Sequence, residues 1–178
     1  MQKYLTKGGK YKVAIIGGLI VSLALFTRAK IKQVGATRGF RNNNPGNIRM
    51  TKTLYPGEVP VASNTDGAFK QFTAYSDGVR AMIGLIDYHY RVSGTDTITK
   101  LISKWAPSSE NNTVAYIQNV AKRTGFEPDK KLLPNYLTMK KLVDAIIIQE
   151  NGKQKLSDAD FWDAWKKSET SRKIFKTS

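Results

Sequence analysis

The stretch KKLVDAIIIQENG, residues 140–152, decides how the rest of this chain is read. Val143, Ile146, Ile147 and Glu150 fall at i, i+3, i+4 and i+7, which is one face of a helix, and Asn151-Gly152 supplies a stop signal. The apolar stripe therefore ends in a carboxylate. In the last turn that carboxylate faces the negative end of the helix dipole, and burial beside Ile146 and Ile147 acts in the same sense, so both disfavour its charged form. A carboxylic acid that keeps its proton near neutral pH can protonate a leaving oxygen, as cleavage of a glycosidic bond requires. The same periodicity also allows Glu150 to leave the stripe at a frayed helix end and reach solvent.

Working outward, the spacing predicts further helices. One runs from Asn135 to Gln149, and Ser157 caps a last one containing Phe161, Trp162 and Trp165. Upstream, Thr113–Thr124 ends at Gly125 and Ile98–Trp105 is shorter. Ser76 to Val92 puts Val79, Met82, Ile83 and Ile86 on one face with Ser76 as N-cap. Residues 33–65 hold Gly35, Gly39, Pro45, Gly46, Pro56, Gly57 and Pro60, and read as linker and irregular structure with at most short strands. The tail after Lys166 is basic and polar, and is expected to fray. The fold class is mainly α over residues 38–178.

The first 37 residues read differently. The chain has 178 residues and a formal net charge of +15, yet residues 1–40 carry eight basic side chains and no acidic one. Between those charges Val13 to Phe26 is uncharged, about 21 Å as a helix against a hydrocarbon core of about 30 Å. Extension to Tyr11 and Ala29 lets Lys12 and Arg28 snorkel to the headgroups, which gives a single spanning helix over residues 11–29. Ala14, Gly18 and Ser22 recur every four residues along it, as close helix contact or chance would allow. A cleaved secretory signal is the rival reading, but Val34-Gly35-Ala36 is a poor cleavage site behind the basic stretch Arg28 to Lys32. The expectation is an anchored protein with a boundary near residue 37. Nucleic-acid binding by residues 28–41 is a further option that no recognisable motif supports.

With no cysteine and one histidine, His89, the chain cannot supply a disulfide frame, a Cys/His zinc site, a multi-His metal site or a Cys nucleophile. No metal and no cofactor is expected, and the chemistry falls to carboxylates, hydroxyls, amides or lysines. Two polar clusters qualify. RNNNPGNIR, residues 41–49, sets Asn42, Asn43, Asn44 and Asn47 around a Pro-Gly turn. Asparagine favours turns for local reasons, while four amides in six residues also suit the hydroxyl and acetamido groups of a sugar polymer; composition leaves both open. WAPSSENNTVAY, residues 105–116, is a polar loop entering a helix. Asn112 or Ser109 caps it, Glu110 lies near its positive end, and Tyr116 on the first turn could face a cleft.

Four strings in order, RNNNPGNIR (41–49), DGAFKQFTAYSDGVRAMIGLI (66–86), ISKWAPSSENNTVAYIQNVAKR (102–123) and AIIIQENG (145–152), resemble the lysozyme-like lytic transglycosylase proteins that are structural components of bacteriophage virions. The resemblance covers about residues 38–153. It implies a lysozyme-like α domain, in a permuted order relative to flagellar-type glucosaminidases and Slt-type transglycosylases, acting on peptidoglycan during entry. It further implies Glu150 as the catalytic acid with Glu110 as runner-up. Asn42, Asn43, Asn44 and Asn47, with Phe69, Gln71, Phe72 and Tyr75, would line the sugar groove, and Asn112 and Tyr116 would support the reacting sugar. The implied partners are peptidoglycan, the virion membrane and other virion proteins such as the capsid, with action on the cell wall in the periplasm.

The implied reaction needs one carboxyl group, which protonates the oxygen between MurNAc and GlcNAc and then takes the proton from the sugar's own 6-hydroxyl. A two-carboxylate hydrolase would need a partner about 5–10 Å away, for which Asp66, Asp77 and Glu110 are the candidates. The alternative function is a non-catalytic virion protein linking membrane to capsid or DNA, with a degenerate peptidoglycan-binding domain. A zinc peptidase is excluded by the ligand count, whereas a metal-independent endopeptidase is not.

Overall fold

Residues 36–109, 112–152 and 156–168 are described by the computed structural model of this chain. The predicted membrane helix at 11–29, Glu110 and the tail from residue 169 lie outside those residues, whereas Lys167 is helical and Ser168 is buried. Among the described residues no helix is long and apolar enough to cross a membrane. From Thr37 onward the chain forms one compact unit.

Among the described residues six α-helices run in the order α1 Arg38–Arg41, α2 Tyr75–Ser93, α3 Ile98–Trp105, α4 Thr113–Thr124, α5 Tyr136–Asn151 and α6 Asp158–Lys167. Four start on a side-chain cap: Thr97, Asn112, Asn135 and Ser157 each accept a backbone N–H three residues on, satisfying donors that a helix start leaves unpaired. The longest, α2, does not use Ser76 as predicted. Its N-cap is Ala74, which has no capping side chain, and Tyr75 is already helical. The Tyr75 ring stacks on Phe40 with centroids 5.4 Å apart, so aromatic packing, not a hydroxyl cap, fixes where α2 begins. The short α1 falls in the stretch read as linker.

The core gathers the two predicted faces, Val79, Met82, Ile83 and Ile86 of α2 and Val143, Ile146 and Ile147 of α5, together with Ile98, Leu101 and Ile102 of α3, Val120 of α4, and Phe161 and Trp165 of α6, all buried, while Trp162 is exposed. Each large aliphatic side chain removed from water contributes about 1.5–3 kcal/mol. Helix α5 packs against α4, α2 and α1, while α2 also packs against α6, and α3 against α4.

The segment from Asn42 to Thr73 contains no strand; two isolated antiparallel bridges, Arg49 with Phe69 and Glu58 with Phe72, take the place of the short strands the sequence allowed. Polar groups hold this segment together. Asn44 is fully buried: its Nδ2 donates to the Ile48 and Lys70 carbonyls at 2.9 Å and its Oδ1 accepts the Ile48 N–H at 2.9 Å. Lys70, also fully buried, donates to Glu58 at 2.7 Å and to the Thr53 carbonyl at 2.8 Å. Gly78 lets the segment approach α2, because a Cβ there would collide with the Asn43 carbonyl.

Candidate active site

Glu150 occupies the last turn of α5, one residue before the final helical residue Asn151, with Gly152 as the C-cap. Its two carboxylate oxygens are held by different parts of the chain. Oε1 accepts from the Tyr116 hydroxyl at 2.8 Å, and Oε2 accepts from Asn47 Nδ2 at 2.9 Å. The first donor comes from the opening turn of α4, the second from the Pro-Gly turn of the irregular segment. Burial, then the Glu150 charge and the hydrogen bond to it, push the Tyr116 phenol far above its ordinary value, so Tyr116 stays protonated and remains a donor.

Asn47 carries two marks of a constrained position. Its φ of 47° lies in the left-handed region, and its Oδ1 is buried without a hydrogen-bond partner. The neighbouring Asn151 explains how the turn is brought there. Its Nδ2 donates to the Pro45 carbonyl at 2.6 Å and its Oδ1 accepts from Thr37 at 2.6 Å, so the residue after Glu150 clamps the asparagine turn to the end of α5.

These groups open onto a cleft of about 690 Å³. The irregular segment and α1 contribute Arg38, Asn47, Arg49, Tyr55 and Phe69; the helical part contributes His89, Lys104, Trp105 and Glu150. Glu150 is the one carboxylate among the described residues that line it. Burial and the Lys104 charge hold His89 below its ordinary value. Among the described residues, no cluster of three or more His, Cys, Asp or Glu side chains is placed to hold a metal ion.

Of the residues the sequence nominated, the structure brings Glu150, Asn47, Tyr116 and Phe69 together. It turns the others to different uses. The Asn42 amide donates to Asp66 at 2.8 Å and its carbonyl accepts from Gln71 at 3.1 Å; Gln71 is further bound to Thr65. Asn43 donates to the Phe72 carbonyl at 3.0 Å, and Asn44 is the buried hub already described. Phe72 is part of the core, Tyr75 stacks on Phe40, and Asn112 caps α4 by accepting the Ala115 N–H at 3.1 Å. These three asparagines tie the turn to the stretch 66–73, Asn42 through side chains and Asn43 and Asn44 through backbone carbonyls, and Asn44 alone of them also bonds within its own turn. Asp66 and Asp77 do not line the cleft: Asp66 is held by Asn42 and Asp77 by Arg80 at 2.9 Å. Glu110 lies outside the described residues.

Sequence reasoning passed over Asn151, although Val143, Ile147 and Asn151 recur every fourth residue and the stripe runs inward there. It also passed over Arg49, Lys104, Tyr55 and Trp105, whose meeting depends on contacts across the whole chain and left no local signal.

No protein-family model matches the chain. It is 35% identical over 120 residues to Protein P5 of Pseudoalteromonas phage PM2, an alignment that spans 66% of this chain and 72% of the phage protein.

Proposed function

This chain belongs to the family of Protein P5 of Pseudoalteromonas phage PM2, and on that premise we propose that it is a phage protein, carried in the virion, that cuts the glycan strands of peptidoglycan as a lytic transglycosylase. The observation that carries this reading is Glu150, the one carboxyl group among the described residues lining a cleft of about 690 Å³, fixed between Tyr116 and Asn47. The apolar run at residues 11–29 serves in this reading as the anchor in the virion membrane.

The chemistry follows from one acid among the described lining residues. Glu150 donates its proton to the glycosidic oxygen between MurNAc and GlcNAc as the bond from C1 to that oxygen breaks. The resulting carboxylate takes the proton of the same MurNAc 6-hydroxyl, whose oxygen bonds to C1. One C–O bond is lost and one is gained, no water is consumed, and a 1,6-anhydro end remains. A hydrolase of the two-carboxylate kind would need a second acid about 5–10 Å away; of the candidates, Asp66 and Asp77 are committed elsewhere and Glu110 lies outside the described residues. Tyr116 and Asn47 orient the carboxyl group, and their rigidity matters because small errors in the position of a proton donor are costly in rate.

A second reading has the phage origin of the relative in its favour: a virion structural protein that links membrane to capsid or DNA and whose helical domain binds peptidoglycan without cutting it. Substitution Glu150→Gln separates the two, since glutamine keeps the size of the side chain and one oxygen that can accept from Tyr116 or Asn47 but holds no acidic proton. The transglycosylase reading expects cleavage of purified peptidoglycan to fall by about 10²–10⁴-fold while co-sedimentation with the polymer is kept. Polymer binding with no cleavage by the folded wild-type protein would transfer the conclusion to the structural role.

A further inference from the structure

Asn47 reaches Glu150 at a cost. Its φ of 47° is uncommon for a residue other than glycine, and an amide oxygen buried without a partner is unfavourable too. Local strain of this kind persists only where the surrounding structure fixes it. The turn is closed by the Asn47 N–H on the Asn44 carbonyl at 3.0 Å, and the Asn44 side chain pins one side of it to Ile48 and Lys70. The tie to α5 comes from residues 150 and 151 together: Glu150 takes the Asn47 amide, and Asn151 Nδ2 donates to the Pro45 carbonyl. Asn151 is buried, and both of its polar atoms are engaged. Its Nδ2 also donates to the Ile147 carbonyl at 3.1 Å, and its Oδ1 accepts from the Thr37 hydroxyl at 2.6 Å. An amide donates and accepts at once, whereas a carboxylate in its place would set its oxygens against the Pro45 carbonyl. Two features of α1 serve this contact. Thr37 is the N-cap, yet its hydroxyl caps no backbone N–H and is spent on Asn151. At Gly39 a Cβ would collide with Asn151 Oδ1.

Resting on the transglycosylase reading for the role of Glu150, we propose that Asn151 is a positioning residue: it fixes the turn so that the Asn47 amide stays on Glu150, and Thr37 holds the Asn151 amide in the orientation that donates to Pro45. Asn151 is not among the described residues that line the cleft, so it acts through Asn47 and not on the glycan.

The test compares the full wild-type chain with Asn151→Leu, Asn47→Gly, the double variant of these, Thr37→Val and Thr37→Ser. Glycine suits the left-handed backbone at position 47 while removing the amide. The first readout is solvent exchange of the Asn47 side-chain NH2 by NMR, which its bond to Glu150 slows. Asn151→Leu is expected to speed that exchange by about tenfold while the backbone amides of Val79 and Ile83 in α2 stay protected. Thr37→Val is expected to act in the same sense, and Thr37→Ser, which keeps the hydroxyl, to restore the wild-type rate. The second readout is kcat on purified peptidoglycan beside co-sedimentation with it. Asn151→Leu is expected to lower kcat by up to about 100-fold with co-sedimentation kept, and to cost less than about twofold more once Asn47 is glycine. An Asn47 exchange rate unchanged in Asn151→Leu, or losses in kcat that multiply in the double variant, would overturn the proposal. If Asn151→Leu does not fold, Thr37→Val beside Thr37→Ser decides by the same exchange rate: equal rates in the two overturn it. Failure of wild type to cut peptidoglycan would sink the transglycosylase reading alone, because the exchange of the Asn47 amide reports its hold on Glu150 without cleavage.

Discussion

The helical part of the domain and the segment from Asn42 to Thr73 are stabilised by opposite means. Helices α2 to α6 bury apolar faces, a non-directional contribution that adds up over many contacts. The irregular segment buries Asn44 and Lys70 completely and holds its shape through hydrogen bonds and one buried ion pair. The first kind of region tolerates change in shape; the second does not tolerate loss of a partner. The candidate site stands where they meet, with Glu150 and Tyr116 from the helices and Asn47 from the polar segment.

The largest expected effect of a single stability change is therefore in the polar segment. Lys70→Met leaves the Glu58 carboxylate buried, with a side-chain exposure of 4%, and without its cation. Removing one partner of a buried pair costs about 3–5 kcal/mol, and urea unfolding should show a loss of that size. The double variant Lys70→Met/Glu58→Leu should regain most of it; a double variant no better than the single would break the comparison. In the helical core, Ile83→Val removes one methylene group from a fully buried site and should cost about 0.5–1.5 kcal/mol. A loss as large as that of Lys70→Met would mean that the two regions are not distinguished in this way.

The smallest effect concerns acid. The hydrogen bond from Asn42 holds the Asp66 carboxyl below its ordinary value, helped by backbone N–H groups and Arg38. A group whose folded value is depressed contributes stability above its unfolded value, about 3.9 for Asp, and loses it as pH falls through that value toward the folded one. Asp66→Asn should flatten the decline in urea midpoint below about pH 4 relative to wild type. An unchanged acid profile would remove Asp66 from the account.

The same contrast explains what the sequence made legible. The helices at 98–105 and 113–124 were readable to the residue, because an apolar period of 3.6, capping side chains and Gly125 act locally. Glu150 was readable as a candidate because it extends a stripe. Asn47 could not be separated from Asn42, Asn43 and Asn44, since all four share a turn, and only tertiary contacts decide which amide reaches Glu150 and which bind backbone. The pairing of Lys70 with Glu58, twelve residues apart in a segment without regular period, had no sequence signature at all. Nor did the gathering of Arg38, Arg49 and Lys104 along one cleft.

The central claim is that Glu150, held by Tyr116 and Asn47, is the single acid of a glycan-cleaving site. Mass analysis of the muropeptides released from purified peptidoglycan tests it most directly. The account predicts fragments ending in 1,6-anhydro sugar from the wild-type chain and none from Glu150→Gln. Fragments with ordinary reducing ends, or equal release by the variant, would contradict it.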